Sequence, residues 1–263
     1  MSCFIRAAAL VRDGDFSPVR ERSRLQPGEW SALPCIVGSS SYAIGRVEAD
    51  AAPLLAPPIE LARELASGFG AAGPVLATAS ACTSGFSALQ LALDLMQAGD
   101  WRHALVLGVE LPNRLSAAGF ASLGLGLRLG SAIGALVVSG EGPWRIAALA
   151  WRTEPSNLIG IASGTMKAAM QDALSRSGWR PADVDLVKLQ AESDPAERQA
   201  LASLFPSIPK TISLRGRIGH TLGASGPAEL ALLLGEPRPE RRILFNLSGF
   251  GGQMACLALE RAA

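Results

Sequence analysis

Along this chain, short apolar runs of strand length alternate with segments whose apolar residues recur at helical spacing. That alternation constrains the fold more than any other feature. The runs occupy residues 4–11, 34–38, 74–80, 103–109, 133–139, 144–151, 184–189, 243–247 and 254–259. The periodicity between them predicts helices over 58–67, 84–98, 164–177, 195–205 and 224–234. Strands this apolar need cover on both sheet faces, so the reading is an α/β fold with helices on either side of its sheets. A weak internal repeat accompanies the alternation. Each half opens on a strand, carries helices in its middle and closes on an apolar run. This divides the chain into 1–142 and 143–263 at the seam Gly140-Glu141-Gly142-Pro143.

Composition narrows function by exclusion. Charged residues make up 18% of the 263 and the formal net charge is +1, so no basic excess attracts nucleic acid. No run approaches the ~20 apolar residues that span a bilayer. The first residues lack the basic stretch and apolar core of a leader. Cys3, Cys35, Cys82 and Cys256 are scattered without CxxC spacing, which argues against zinc and against a disulfide scaffold. The expectation is a cytoplasmic protein with no metal, no nucleic-acid partner and no membrane.

Three segments carry chemistry-bearing residues. Ala79-Ser80-Ala81-Cys82-Thr83-Ser84-Gly85 sets a cysteine on a turn between a predicted strand and a predicted helix. The positive end of that helix favours the nucleophilic thiolate; a small buried core cysteine accounts for the same local pattern equally well. Gly216-Arg217-Ile218-Gly219-His220-Thr221-Leu222-Gly223-Ala224-Ser225-Gly226 places a histidine in a glycine-dense loop, where an incidental histidine is the commoner case. Asn246-Leu247-Ser248-Gly249-Phe250-Gly251-Gly252-Gln253 joins two runs as a hairpin, or as a loop of amides able to receive an oxyanion. A dinucleotide site is set aside, because the glycines of residues 124–130 have the wrong final spacing and no clear strand before them. No G-x-S-x-G elbow marks a serine hydrolase.

In this order, the three segments resemble those of the β-ketoacyl synthases, condensing enzymes of the thiolase fold. Val109-Glu110 and Ala117-Ala118-Gly119-Phe120-Ala121 match the same family, and the resemblance runs from about Pro34 onward. It implies an αβαβα sandwich of two duplicated halves. It implies that Cys82 takes an acyl group from an acyl-carrier-protein or CoA thioester, with the phosphopantetheine arm as substrate carrier and no bound cofactor. His220 would be the second catalytic histidine, and the N–H groups of Cys82 and Phe250 would hold the oxyanion. Ser248, Gly249 and Gly251 would line the substrate pocket. A homodimer, or a heterodimer with a complete ketosynthase, is implied as well.

The chain also departs from the family. Its two histidines are His103, at a strand end, and His220, so the first catalytic histidine is absent. The loop expected to carry it is Leu189-Gln190-Ala191-Glu192-Ser193-Asp194-Pro195-Ala196-Glu197, with Glu192 at the histidine's place. A carboxylate there opposes a developing enolate. Arg215 replaces the supporting lysine, and an Arg215–Glu197 ion pair is expected to tie the two loops together. The chain is shorter than family members before Cys82 and before Gly140, and Ser248 replaces a gating phenylalanine, which implies a more open mouth. The resemblance therefore implies an acyltransferase with decarboxylative condensation weakened or lost. The alternative is a non-catalytic, chain-length-determining subunit.

Overall fold

In strand β10 (Gln253–Arg261), Met254, Cys256 and Ala258 pack into one apolar cluster while Ala255, Leu257 and Leu259 pack into another. Alternate side chains point to opposite faces, so both faces of this strand are core. The computed structural model describes residues 2–12, 14–42, 44–45, 48, 57–111, 113–191 and 194–262. Its other strands are β1 (Cys3–Val11), β2 (Cys35–Gly38), β3 (Val75–Thr78), β4 (His103–Glu110), β5 (Ala132–Ser139), β6 (Trp144–Thr153), β7 (Leu186–Leu189), β8 (Lys210–Ser213) and β9 (Arg242–Gly249).

The sheet order is β3-β2-β4-β5-β1-β6-β10-β9-β7-β8. Read outward from the β1–β6 junction, it is the same arrangement twice: β1-β5-β4-β2-β3 on one side and β6-β10-β9-β7-β8 on the other. Strand directions match too, with β2 and β7 each parallel to both neighbours and the remaining pairs antiparallel. The two sets meet through a short antiparallel pairing from Cys3↔Ile146 to Ile5↔Trp144.

Helices fill three layers around these strands. In the centre, α4 (Ser84–Ala98) and α9 (Ser225–Gly235) contribute Phe86, Leu89, Met96, Leu230 and Leu233. They pack against Ile36, Val106 and Leu136 from one set of strands and Phe245 and Leu257 from the other. One outer layer comprises α1 (Ser17–Ser23), α2 (Pro27–Ser31) and α3 (Pro58–Gly68), whose Val19, Trp30 and Leu61 cover Val37 and Leu105. The other comprises α6 (Ser163–Ser177) and α7 (Pro195–Leu204), whose Met166, Met170 and Leu201 cover Val187 and Leu244. This is the expected αβαβα sandwich, and each of these buried large side chains stabilises it by roughly 1.5–3 kcal/mol.

All nine expected runs form strands and all five expected helices form, α4 with the bounds read from periodicity. The elements that periodicity misses are β8, α1, α2, α5 (Arg114–Ser122) and α8 (Arg215–Ile218). β8 is a half-exposed edge strand without an apolar run. α1, α2 and α8 are too short to show a period, and α5 buries no residue.

Candidate active site

Cys82 sits in the sharp turn between β3 and α4. Ala81, just before it, adopts φ +49°, a left-handed conformation that costs an alanine about 1 kcal/mol. Side chains of the same turn hold it there. Ser80 N–H donates to Ser84 Oγ at 2.9 Å, Ser84 Oγ donates to Ala81 O at 2.6 Å, and Thr83 Oγ1 lies 2.7 Å from Ser80 O. Gly85 lets the start of α4 approach α9, since a Cβ there would run into the Pro227 ring. At Gly226, on the facing helix, a Cβ would strike Phe86.

His220 arrives from the opposite crossover, between β8 and α9. Gly219 turns the chain at φ +74°, and His220 then pairs with the loop after α5: its N–H donates to Arg128 O at 2.8 Å and its carbonyl accepts from Gly130 N at 3.0 Å. Glu110, at the end of β4, accepts hydrogen bonds from Ser40, from Ser41 Oγ and from Gly223 N at 3.0 Å. It thereby pins this loop to the other half of the molecule. The result places His220 Nε2 3.2 Å from Cys82 Sγ, with both side chains buried. Thr221 Oγ1 donates to Ser225 Oγ at 3.3 Å, and Ser225 Oγ lies 3.3 Å from His220 Nδ1. Both hydroxyl protons are used only if Ser225 donates to Nδ1. That assigns the tautomer whose Nε2–H points at the sulfur.

Burial sets the protonation of the pair. It pushes the Cys82 thiol up to about 11, although the N–H groups of Phe250 and Cys82 and the charge of Arg215 pull the other way. Here the structure corrects the expectation that the helix end favours a thiolate: desolvation outweighs it. His220 is held well below the usual imidazole value by burial first, then by Arg215 and Lys188. At neutral pH the pair is therefore thiol and neutral imidazole.

The two side chains open into a cavity of about 350 Å³ at the carboxyl ends of β3, β7 and β9. Ser248, Gly249 and Phe250 line it, Gly251 is not among its lining residues, and their segment forms a hairpin in which β9 pairs with β10 up to Gly249↔Gln253. Gly251, at φ +87°, supports the turn and donates its N–H to Leu158 O at 2.8 Å. Phe250 stacks on Phe120 of α5 at 5.2 Å, and Phe120 presents its face or edge to His220 in a T-shaped contact at 6.2 Å. Leu125 and Leu127 also line the cavity, so the glycine segment set aside as a dinucleotide loop belongs to this site.

Glu192 lies outside the described residues. Among the described residues of this loop, Gln190, Ala191, Asp194 and Pro195 line the cavity; Gln190 is the first residue after β7, a position at a strand's carboxyl end that could have singled it out. Its Nε2 donates to Ser248 O at 3.0 Å, and its Oε1 is buried without a partner. The expected Arg215–Glu197 ion pair is absent among the described residues. Glu197 instead accepts from Gln190 N at 2.9 Å, Ala191 N at 3.3 Å and Asn246 Nδ2 at 3.0 Å, which ties the loop to β9. Buried Lys188 pairs with buried Glu229 beneath the site, and its Nζ lies over the Phe245 ring. His103 stands apart, 3.1 Å from Ser139 Oγ at the head of β4. Among the described residues, no cluster of three or more His, Cys, Asp or Glu side chains could hold a metal ion.

Residues 59–139 match the family model for the beta-ketoacyl synthase N-terminal domain, and residues 155–235 match that for its C-terminal domain. Together these cover more than half of the chain. A beta-ketoacyl-[acyl-carrier-protein] synthase III of Streptomyces coelicolor is 32% identical over 165 residues, 59% of this chain and 48% of that protein. An acetyl-CoA acetyltransferase of Thiocystis violacea is 36% identical over 98 residues, 35% of this chain and 25% of that protein. The chain thus spans a quarter to a half of the curated relatives it matches. Among solved structures, a beta-ketoacyl synthase from Burkholderia phymatum superposes with TM-score 0.78 at 20% identity, over 94% of this chain and 80% of that one. A ketosynthase in complex with its chain length factor, from Xenorhabdus doucetiae, gives TM-score 0.80 at 16% identity, over 99% and 98%. A type II PKS acyl-carrier protein in complex with its ketosynthase gives 0.83 at 13% identity, over 100% and 99%. At these identities the structural matches establish the fold.

Proposed function

The chain belongs to the β-ketoacyl synthase family, and from that premise we propose that it is an acyltransferase that carries its acyl group on Cys82. The observation that supports this most is the 3.2 Å approach of His220 Nε2 to Cys82 Sγ at the floor of a cavity. The thioester arrives on the phosphopantetheine arm of an acyl carrier protein or of CoA. Cys82 Sγ attacks its carbonyl carbon, the bond to the carrier sulfur breaks, and the thiol proton ends on the departing carrier thiol. The N–H groups of Cys82 and Phe250, which favour negative charge at Cys82, receive the oxyanion. The Nε2–H of His220 steadies the sulfur as charge builds on it. The acyl group then passes to an acceptor.

Decarboxylative condensation is weak on this reading. An enolate oxygen would meet one histidine donor where the complete family has two, and Gln190 commits one of its two Nε2 protons to Ser248 O. Losing one such donor costs about 10²–10³ in rate. Exposed Leu125 and Ile159 stand at the mouth, which fits completion of the rim by a second chain, a homodimer mate or a complete ketosynthase. The site of action is the cytoplasm, where four buried cysteines remain thiols.

A second reading, a non-catalytic subunit resembling a chain length factor, draws support from the Cys82 thiol held near 11 and from the missing histidine. Intact-mass measurement after incubation with a panel of acyl-carrier-protein and acyl-CoA thioesters separates the two. An adduct lost in Cys82→Ala supports the transferase, and added malonyl carrier protein then reports any condensation. No adduct with any donor, alone or beside a complete ketosynthase, leaves the subunit role.

A further inference from the structure

Arg215 brings a guanidinium into the cavity that holds Cys82 and His220. A cation withdrawn from water needs a counter-charge. Three acids act on it through space, Glu229, Glu197 and Asp194, and each is engaged elsewhere. Glu229 pairs with Lys188. Glu197 takes the amide donors of Gln190, Ala191 and Asn246. Asp194 caps α7, accepting from Ala196 N at 2.9 Å and Glu197 N at 3.0 Å. Among the described residues no carboxylate lies within ion-pair reach of Arg215, and its Nε is buried without a hydrogen-bond partner. Its backbone is fixed from the other side, where Arg128 Nη2 donates to Gly216 O at 3.0 Å. A planar, permanently charged fork held beside a nucleophile, with its donors free, matches a carboxylate in two-point geometry.

We propose that the acyl group accepted by Cys82 carries a second, free carboxylate, and that Arg215 binds that carboxylate. The substrate class is the monothioester of a short dicarboxylic acid, of a size that a cavity of about 350 Å³ admits. In the transfer the carrier C–S bond breaks, the bond to Cys82 Sγ forms and the thiol proton leaves with the carrier thiol, while the carboxylate is unchanged. Only the covalent step rests on the acyltransferase reading; carboxylate binding stands apart from it.

The test compares succinyl- with butyryl-pantetheine, and glutaryl- with valeryl-pantetheine, on the full chain. Acylation of Cys82 is followed by intact mass, and binding of the same thioesters to Cys82→Ala by calorimetry. The carboxylated member of each pair should bind tighter and load at least about tenfold faster. Arg215→Met should lose that preference, and Arg215→Lys, which keeps the charge and not the fork, should retain part of it. Equal loading and equal binding within each pair overturns the proposal while leaving the acyltransferase reading intact. A binding preference in Cys82→Ala with no loading of the wild-type chain does the reverse: the carboxylate site stands and the transferase falls.

Discussion

The crossovers from β3 to α4 and from β8 to α9 occupy equivalent places in the two five-strand sets, yet one presents the nucleophile and the other the histidine. Both deliver a helix to the central layer, and both bend through a left-handed residue that is not glycine, Ala81 at φ +49° and Leu222 at φ +44°. The first, residues 79–83, is tight and tucks a small sulfur beneath the helix start. The second, residues 214–224, is long enough to hold α8, a glycine turn, a histidine ring with its hydroxyl relay and a guanidinium. Repeated topology brings two strand ends face to face, and the length of each crossover decides what it can present there. Neither alone makes a site.

Removing the contribution of the long crossover should have the largest effect. His220→Ala is expected to slow Cys82 acylation about 10²–10³-fold, as loss of one preorganised donor does; His220→Gln, which keeps an N–H donor, should recover part of it. Single-turnover intact mass reads both. Separating the crossovers comes next. A methyl group at Gly226 must displace the Phe86 ring, so Gly226→Ala should cost about 1–3 kcal/mol in denaturant melts and slow acylation with it. Unpinning the long crossover is milder. Glu110→Ala leaves Gly223 N and two serine hydroxyls without their acceptor, for about 1–3 kcal/mol of stability by the same melts. Smallest is Gln190→Leu, which deletes the bond to Ser248 O for about 1 kcal/mol and should leave loading of Cys82 nearly unchanged.

Much of this site can be read from residue order, because Cys82 and Phe250 sit in strand-to-helix and strand-to-strand contexts that periodicity reveals, and His220 precedes a helix that it predicts. The layers follow from apolar runs whose alternate residues serve two cores, as in β10. What escapes sequence depends on three-dimensional neighbours. The charge state of Cys82 turns on burial, which is invisible in sequence and outweighs the helix end. Gln190 is not singled out by sequence, since the resemblance directs attention to Glu192 at the missing histidine's place rather than to the first residue after a strand. The partner assigned to Arg215 failed because Glu197 is claimed by amide donors that only the fold brings to it. Leu125 and Leu127 lie in a segment whose glycines suggested a different ligand altogether.

The most direct test is the pH dependence of Cys82 acylation by a simple acyl thioester, followed by intact mass under single-turnover conditions. With the folded thiol raised to about 11, the thiolate fraction at pH 7 is small and grows tenfold per pH unit. His220, held well below 6.5, stays neutral throughout this range. The rate should therefore climb log-linearly from pH 7 to 10, with the adduct confined to Cys82. A plateau at or below pH 8 would show a preformed thiolate and contradict the dominance of burial, and no adduct at any pH would remove Cys82 as the acyl carrier.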